Sequence, residues 1–263
     1  MKSLDIPGIY IECLGSGPDL VMLHGWAMNG GLLRGLAKQL SADYRVSLID
    51  LPGHGMSGPI DDYSLASVTD ALAQAAPPTA HWLGWSLGGL LALEFANTHA
   101  ERVRSLVMIS GTPRFTAETD WPGVDPALLQ QMSVNLAQDF FGTLKRFIGL
   151  QTFNQENPRT LAKQIHDVLD ERPMPDKCAL RGGLALLQDI DARPVLARLQ
   201  KQVLAIMGAK DRLVPMAQTP RLLELTSRVE VQVLTKAAHL PFLTHPQETA
   251  CLIREFLSLQ DRV

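Results

Sequence analysis

One serine in this 263-residue chain stands in a pattern that is typical of a nucleophile. Ser86 is the centre of the segment Gly84-Trp85-Ser86-Leu87-Gly88-Gly89, which lies between an apolar run and a Leu/Ala-rich helical pattern. The pattern Gly-x-Ser-x-Gly favours a sharp turn from strand into helix, in which the glycines on either side leave room for the strained backbone of the serine. The sequence therefore predicts a serine hydroxyl that projects clear of a sheet.

A serine hydroxyl attacks a carbonyl only with help from a base, and that base needs a carboxylate to orient it. Asp211 follows the apolar run 203–207. His239 follows the run 231–234, so both residues are predicted at the carboxyl ends of strands. Taken alone, Asp211 has an alternative role as a loop-capping carboxylate, and His239 has one as a surface or helix-start histidine. The order and the strand-end positions together favour a Ser86-Asp211-His239 catalytic triad.

An attacked ester carbonyl also needs N–H groups that hold the developing oxyanion. One predicted donor is the backbone N–H of Leu87, at the positive end of the helix after the serine. The other is the N–H of Trp26, in the turn His24-Gly25-Trp26 that follows the apolar run 20–23. Trp26 has an alternative role as a core aromatic residue. We interpret His24 as structural, bonded to the loop backbone.

The remaining motifs predict neither a cofactor nor a metal site. The Gly-rich turn 50–57 lacks the spacing of a phosphate-binding loop, so we interpret it as structural. Four other histidines show no metal-ligand spacing with one another or with the cysteines. They are His81, His99, His166 and His245. Cys13, Cys178 and Cys251 are too scattered for a disulfide framework, which indicates a reducing compartment.

These residues need a sheet that brings several strand ends to one edge. Short apolar runs, mostly bounded by Gly, Pro or charged residues, alternate with helix-like stretches along the chain. The runs lie at 20–23, 46–49, 82–83, 106–109, 203–207 and 231–234. This alternation predicts an α/β fold with a mostly parallel sheet flanked by helices.

The segment between the runs 106–109 and 203–207 has a different character. It contains no convincing strand and is predicted to form several helices broken by prolines. We interpret residues 114–188 as a helical cap inserted above the carboxyl edge of the sheet, with residues 1–113 and 189–263 forming the core. A separate helical domain beside the sheet is the alternative.

Composition limits the classes of partner. The net charge is −3 and the pI is near 6.2, which argues against the global positive field of a nucleic-acid-binding protein. The segment 1–7 lacks the apolar stretch of a signal peptide, and no apolar run reaches the ~18 residues of a membrane span. We expect a cytoplasmic monomer without nucleic-acid or membrane partners.

Several motifs span nearly the whole chain and together resemble the α/β-hydrolase superfamily, in which the triad occurs in the order serine, acid, histidine. They are His24-Gly25, the loop 50–57, the segment 84–89, the segment 208–215 and Ala238-His239. A narrower set of motifs resembles the BioH family, the carboxylesterases of biotin synthesis. It comprises Leu83 to Leu90, Leu23 to Trp26, Phe147 with Leu150-Gln151-Thr152, Met174-Pro175, Gly182-Gly183-Leu184 and Lys236 to His239.

The BioH resemblance implies a substrate and a set of contacts. The substrate is the methyl ester of a pimeloyl chain carried on the phosphopantetheine arm of acyl carrier protein, cleaved through an acyl-enzyme. The residues that the resemblance matches to substrate contacts are Trp26, Ser86, Leu87, Phe147, Ile148, Gly149, Leu150, Gln151 and His239. No cofactor or metal is implied.

The carrier protein that the resemblance implies is acidic, so its docking surface should offer local positive charge. Arg146, Arg159 and Lys163 lie on the predicted cap helices and are candidates for that surface, with Lys145 beside them. Basic residues that only solvate the outer face of a helix are the alternative.

Other functions would use the same residues. A general short-chain carboxylesterase or a carbon-carbon bond hydrolase of the same fold needs the same triad. A non-catalytic ligand-binding protein on this fold is a remoter alternative, because such proteins often lack a triad residue and fold alone does not determine function.

Overall fold

The computed structural model describes residues 2–3 and 8–262, and in that part eight strands form one sheet. From β1 to β8 in chain order, the strands are Lys2–Ser3, Ile11–Leu14, Asp19–Leu23, Arg45–Ile49, Ala80–Trp85, Val103–Ile109, Val203–Gly208 and Val229–Leu234. Their order across the sheet is β1-β2-β4-β3-β5-β6-β7-β8. Most of the segment 1–7, predicted to lack a signal peptide, lies outside the described residues.

The sheet is mostly parallel. Neighbouring strands are parallel from β4 through β3 and β5 to β8, whereas β2 is antiparallel to β4 and β1 to β2. The central strands β5 and β7 are buried at every position, as expected of apolar runs covered on both faces. The predicted α/β fold is confirmed, and the carboxyl ends of β3 and β5 to β8 meet at one edge of the sheet.

Within the described residues the structure has eleven α-helices. From α1 to α11 they are Arg34–Leu40, Leu65–Ala75, Leu87–Thr98, Pro126–Gln138, Phe140–Thr152, Pro158–Leu169, Lys177–Asp189, Arg193–Arg198, Thr219–Leu225, Pro241–Thr244 and Pro246–Gln260. Helix α3 packs on β3, β5 and β6 and contacts α2 and α8. Helix α11 packs on β6 and β7 and contacts α1. None of the described helices has the length and apolar character needed to cross a membrane.

The predicted helical segment lies between β6 and β7 and contains α4 to α7. Helix α4 packs against α5 and α7, and α5 packs against α6, so the four helices form one group. Pro126 and Pro158, two of the prolines in this segment, stand in the first turn of α4 and α6, where proline's missing N–H costs nothing. We call this group the cap; the division of the chain at residues 114 and 188 stays a prediction.

Candidate active site

Ser86 lies at the turn between β5 and α3, at the carboxyl edge of the sheet. Its backbone has φ 54° and ψ −120°, with a positive φ that residues other than glycine rarely adopt. A Cβ on Gly84 would meet the carbonyl oxygen of Gly88, and a Cβ on Gly88 would meet that of Leu23. The strain, on the order of 1–3 kcal/mol, persists because the surrounding packing holds the turn, including a hydrogen bond of 3.0 Å from the Ser86 N–H to the Ile109 oxygen.

Asp211 and His239 lie on the loops that follow β7 and β8. The carboxylate of Asp211 accepts hydrogen bonds through Oδ1 from the N–H groups of Leu213 (2.8 Å) and Val214 (3.0 Å). Its other oxygen, Oδ2, lies 2.8 Å from Nδ1 of His239, and both side chains are buried. This geometry favours the tautomer in which Nδ1–H donates to Asp211, which leaves Nε2 as the basic nitrogen.

Nε2 of His239 is buried and has no hydrogen-bond partner within residues 2–3 and 8–262. Trp85 holds the histidine beside the serine turn, because its indole Nε1 donates to the His239 carbonyl oxygen (2.9 Å). Hydrogen bonds between catalytic groups are often long in ligand-free enzymes and tighten when substrate binds. The structure therefore brings Ser86, Asp211 and His239 to one edge, with the Asp211–His239 hydrogen bond formed and Nε2 available to accept a proton.

The N–H groups of Trp26 and Leu87, predicted as oxyanion donors, lie close to the serine turn. Leu87 is the first residue of α3, so its N–H has no acceptor within the helix. The N–H of Trp26 makes no hydrogen bond to any described residue. Gly25 lets the Trp26 loop approach the turn, since a Cβ on Gly25 would lie only 3.2 Å from Cβ of Ser86. Two such N–H groups beside a serine can stabilise a developing negative charge.

The side chain of Trp26 connects the site to the cap. Its Nε1 donates to the carbonyl oxygen of Leu180 on α7 (2.8 Å). Its ring meets that of Phe147 on α5 edge to face, with centroids 4.8 Å apart. Gly183 on α7 lies against the same ring, because a Cβ there would come within 2.8 Å of Cδ1 of Trp26. Two cap helices therefore fix the indole of the residue whose N–H is a predicted oxyanion donor.

The predicted substrate stretch 147–151 lies in the C-terminal part of α5. The buried side chains are those of Phe147, Ile148 and Gln151, with Leu150 half-buried and Gly149 exposed. A helical period of 3.6 residues cannot direct five consecutive side chains to one side, so exposure of part of the stretch is expected. Both polar atoms of the Gln151 side chain are buried without a partner among the described residues. A buried, unpartnered amide is costly, which makes Gln151 a candidate for contact with a bound substrate.

The three predicted docking residues lie on α5 and α6 and are exposed. Arg146 pairs with Asp139 (3.3 Å), and Lys163 pairs with Asp167 (2.7 Å). Arg159 forms no ion pair in the part of the chain that the structure describes. Exposed ion pairs contribute at most about 1 kcal/mol, so these positive charges stay available to a partner.

His24 has the structural role predicted for it. Its Nδ1 lies 2.8 Å from the carbonyl oxygen of Gly25, and its Nε2 accepts a hydrogen bond from the N–H of Leu51 (2.9 Å). Burial lowers the pKa of His24 to about 4, so the ring is neutral at pH 7. The neutral imidazole ties the Trp26 loop to the start of the loop 50–57.

An ion network beside the loop 50–57 was not predicted. Arg172, which follows α6, has a side chain that is only 5% exposed, and its Nη1 donates to both carboxylate oxygens of Asp50 (2.7 and 2.6 Å). Its Nη2 donates to the buried carboxylate of Glu12 (2.9 Å). Asp50 also accepts the N–H of Gly30 (2.7 Å), four residues after Trp26. The network thus attaches the cap to the core beside the Trp26 loop.

Within the described part of the chain, no group of three or more His, Cys, Asp or Glu side chains is arranged to hold a metal ion. The three cysteines are free thiols. His81 is buried and bonded, with Nδ1 2.8 Å from Ser105 Oγ and Nε2 3.0 Å from Asp261 Oδ1. The groups placed to move a proton or bind an oxyanion are the side chains of Ser86 and His239 and the two backbone N–H groups.

Comparisons with known proteins agree with this geometry. The family model described as alpha/beta hydrolase fold matches residues 18–246. The pimeloyl-[acyl-carrier protein] methyl ester esterases of Methylococcus capsulatus and Aeromonas salmonicida are 41% and 42% identical to this chain, over 95% of it and 99% of each relative.

Solved structures show the same fold. An esterase from Exiguobacterium antarcticum matches with a TM-score of 0.87 at 24% identity, and a bromoperoxidase from Bacillus anthracis with 0.86 at 22%. Each match covers 95% of this chain and 95% of the other. The family model and the sequence relatives show that the chain belongs to the α/β-hydrolase family and, within it, to the BioH family that its motifs predicted.

Proposed function

We propose that this protein is a serine carboxylesterase that hydrolyses the methyl ester of pimeloyl-[acyl-carrier protein] in biotin synthesis. The observation that supports this most strongly is the 41% identity, over 95% of the chain, to a relative named for that activity. The match includes the cap, where the fold alone would require little similarity. Ser86, Asp211 and His239 supply the nucleophile, the orienting carboxylate and the base for this reaction.

The first half of the reaction forms an acyl-enzyme. Nε2 of His239 takes the hydroxyl proton of Ser86 as Oγ attacks the ester carbonyl. The N–H groups of Trp26 and Leu87 hold the oxyanion of the tetrahedral intermediate. When the intermediate collapses, His239 gives its proton to the departing methoxy oxygen, and methanol leaves. The pimeloyl carboxyl carbon is then bonded to Oγ of Ser86.

The second half of the reaction releases the acid. Water gives a proton to Nε2 of His239 and attacks the acyl-enzyme carbonyl, and the same two N–H groups stabilise the second tetrahedral intermediate. Protonation of Oγ by His239 frees the carboxylate and restores Ser86. Throughout, Asp211 accepts the hydrogen bond of Nδ1–H, which fixes the tautomer and stabilises the imidazolium.

The proposed partner is an acidic acyl carrier protein that docks on the cap. Arg146, Arg159 and Lys163 present exposed positive charge on neighbouring helices, which suits a negatively charged partner despite the net charge of −3. We propose that the protein meets this carrier as a cytoplasmic monomer, with no nucleic acid or membrane involved.

Product analysis with the purified protein tests the proposal. Wild type should convert pimeloyl-[acyl-carrier protein] methyl ester to the free carboxylate and release one methanol per ester, as intact-mass spectrometry of the carrier can show. Ser86→Ala should leave the ester intact while keeping the wild-type circular-dichroism spectrum. Conversion of free short-chain esters only would favour a general carboxylesterase, and no conversion of either substrate would favour a non-catalytic ligand-binding protein.

A further inference from the structure

One contact between cap and core lies beside Asp211 and has no part in the proposed reaction. The guanidinium of Arg212 stacks on the ring of Phe153, with its carbon Cζ 3.9 Å from the ring centroid. Arg212 directly follows Asp211, the proposed orienting carboxylate, and Phe153 directly follows the last residue of α5. The contact therefore joins the loop of the triad acid to the cap helix that carries the predicted substrate stretch 147–151.

The Arg212 end of this contact belongs to a tight turn around the carboxylate of Asp211. The N–H groups of Leu213 and Val214 both donate to Oδ1 of Asp211, so the backbone that carries Arg212 is fixed. The Arg212 side chain is exposed and forms no ion pair among the residues that the structure describes. A guanidinium over an aromatic face is attracted by the electrons of the ring. The last turn of α5 contains no basic residue, so Arg212 also supplies a cation beside the negative end of that helix.

The Phe153 end of the contact is at a place where a helix needs a partner. Phe153 is 43% exposed and stands at the C-terminus of α5. The last carbonyl groups of a helix have no acceptor role within it, and helix ends fray. The chain turns sharply after Phe153, with a positive φ of 62° at Asn154. The stack on Arg212 is therefore a contact that fixes the end of α5 against the core.

The segment 147–153, which we call the bridge segment, crosses the site from one side to the other. At its start, the ring of Phe147 meets that of Trp26 in the loop after β3. At its end, Phe153 meets Arg212 in the loop after β7. In the sheet, β3 and β7 lie on opposite sides of β5, the strand that leads to the nucleophile. The bridge segment thus spans the end of β5 and has one aromatic contact on either side of it.

Gln151 lies within the bridge segment, between these two contacts. Both polar atoms of its side chain are buried and have no partner among the described residues. An amide serves a ligand only when its donor and acceptor lie within hydrogen-bond distance of the ligand atoms, so its position must be held closely. The Phe147 contact holds the segment four residues before Gln151, and the Phe153 contact holds it two residues after.

We infer that Arg212 is a positioning residue for ester hydrolysis, which acts through Phe153 to hold the bridge segment and the Gln151 amide against the acyl part of the ester. The inference rests on the proposed function in requiring an ester substrate, but it does not depend on the carrier protein. Arg212 is exposed and lies outside the triad. Its loss should weaken binding of the acyl chain equally in the ground state and the transition state, which raises KM and leaves kcat nearly unchanged.

The test measures kcat and KM for two free methyl esters. Dimethyl pimelate has an acyl chain that can extend from Ser86 toward the bridge segment, and methyl acetate has none. Arg212→Ala and Phe153→Leu should each raise KM for dimethyl pimelate about threefold, the size of an exposed cation–π contact, with a smaller effect on methyl acetate. Phe153→Tyr keeps an aromatic face and should restore the wild-type KM. The double variant Arg212→Ala/Phe153→Leu should raise KM no further than either single change, because both remove the same contact.

Two matched controls remove the same chemical groups without touching the stack. Lys210→Ala removes an exposed cation from the same loop, and Phe141→Leu removes an exposed ring from the same helix. Neither Lys210 nor Phe141 contributes to a cation–π contact among the described residues. Both control variants should keep the wild-type kcat and KM for dimethyl pimelate.

The outcomes separate this inference from the proposed function. If Arg212→Ala and Phe153→Leu lower the melting temperature but leave KM for dimethyl pimelate unchanged, the contact is only structural and the inference is wrong. If Lys210→Ala raises KM as much as Arg212→Ala does, the charge of the loop and not the stack is responsible, which also overturns it. The proposed function fails on a different result, namely that wild type does not prefer the carrier-bound ester over dimethyl pimelate, and the variants still decide the role of Arg212 in that case.

Discussion

The cap meets the core at Arg172 and again at a cleft lined by Gln164 of the cap and Lys236 of the core, and the charged side chains at these two junctions differ in their pairing. Arg172 is buried, and its guanidinium is paired with the buried carboxylates of Asp50 and Glu12 at 2.6 to 2.9 Å. At the second junction, Lys236 is exposed and forms no ion pair within the described residues. A buried charge needs a partner of opposite charge to offset its lost hydration, whereas an exposed charge is stabilised by water. The difference indicates a fixed attachment at Arg172 and a solvent-exposed contact at Lys236.

The largest effect that tests this contrast is on stability. Arg172→Met leaves Asp50 and part of Glu12 buried without their cation, so the free energy of unfolding should fall by about 3–5 kcal/mol. Lys236→Met, at the other junction, should change it by less than about 0.5 kcal/mol. Urea denaturation of both variants provides the measurement. If the two variants lost similar amounts of unfolding free energy, the pairing of Arg172 would not distinguish its junction from the one at Lys236.

The fixed junction should also be the part that acid weakens. Burial first, and the nearby charge of Arg172 to a lesser extent, lower the pKa of His24 to about 4 from the ordinary 6.5. Between these two pH values the unfolded chain binds a proton at His24 that the folded protein does not. The contribution of His24 to stability is therefore complete above pH 6.5 and is lost as the pH falls toward 4, by about 3 kcal/mol in all.

The measurement is the free energy of unfolding between pH 7 and pH 4 for wild type and two variants. His24→Gln should reduce the decline without abolishing it, because one group that titrates differently in the two states is gone while the neighbouring His54, whose pKa burial lowers to about 3, remains. His166→Gln, at an exposed position on α6, should follow the wild-type curve. A His24→Gln curve parallel to that of wild type would show that His24 contributes nothing to the acid sensitivity and would leave it to groups such as His54.

A smaller effect is expected at a third contact of cap and core, where α7 covers Trp26. Gly183→Ala would place a Cβ within 2.8 Å of the Trp26 ring, so we expect a loss of about 1–3 kcal/mol from overpacking and a lower kcat as the oxyanion loop shifts. Gly35→Ala, exposed on α1 with no atom within 4 Å of the new Cβ, should leave kcat unchanged and raise stability by up to about 1 kcal/mol. Thermal denaturation and esterase assays of the two alanine variants test this. Equal kcat values for the two variants would show that the contact of α7 with Trp26 does not affect catalysis.

The sheet edge of the site was predictable because its signals are local. Ser86, Asp211 and His239 each follow closely on an apolar run of the length and composition of a buried strand. Parallel strands end at a shared edge, so identifying the runs was enough to bring the three residues together. The turn at Ser86 was predictable for the same reason, since its glycines are neighbours in the chain.

The attachment of the cap was not predictable, because its partners are distant in sequence. Arg172 lies 122 residues from Asp50 and 160 from Glu12, and no helical or strand period relates such positions. Strand β2 was not predicted because Glu12 interrupts its apolar pattern. The carboxylate of Glu12 is buried in the folded protein because it pairs with Arg34 and Arg172. The cleft beside Lys236 likewise forms between α6 and loops more than seventy residues later.

We propose that this serine esterase acts on an ester delivered by a carrier protein. The most direct test is kcat/KM of wild type for pimeloyl-[acyl-carrier protein] methyl ester against that for free dimethyl pimelate, with Ser86→Ala as the blank. We expect an advantage of about a hundredfold or more for the carrier-bound ester, because contacts with the carrier and its arm lower the free energy of the transition state. Equal values, or a preference for the free ester, would contradict the claim and leave a general carboxylesterase.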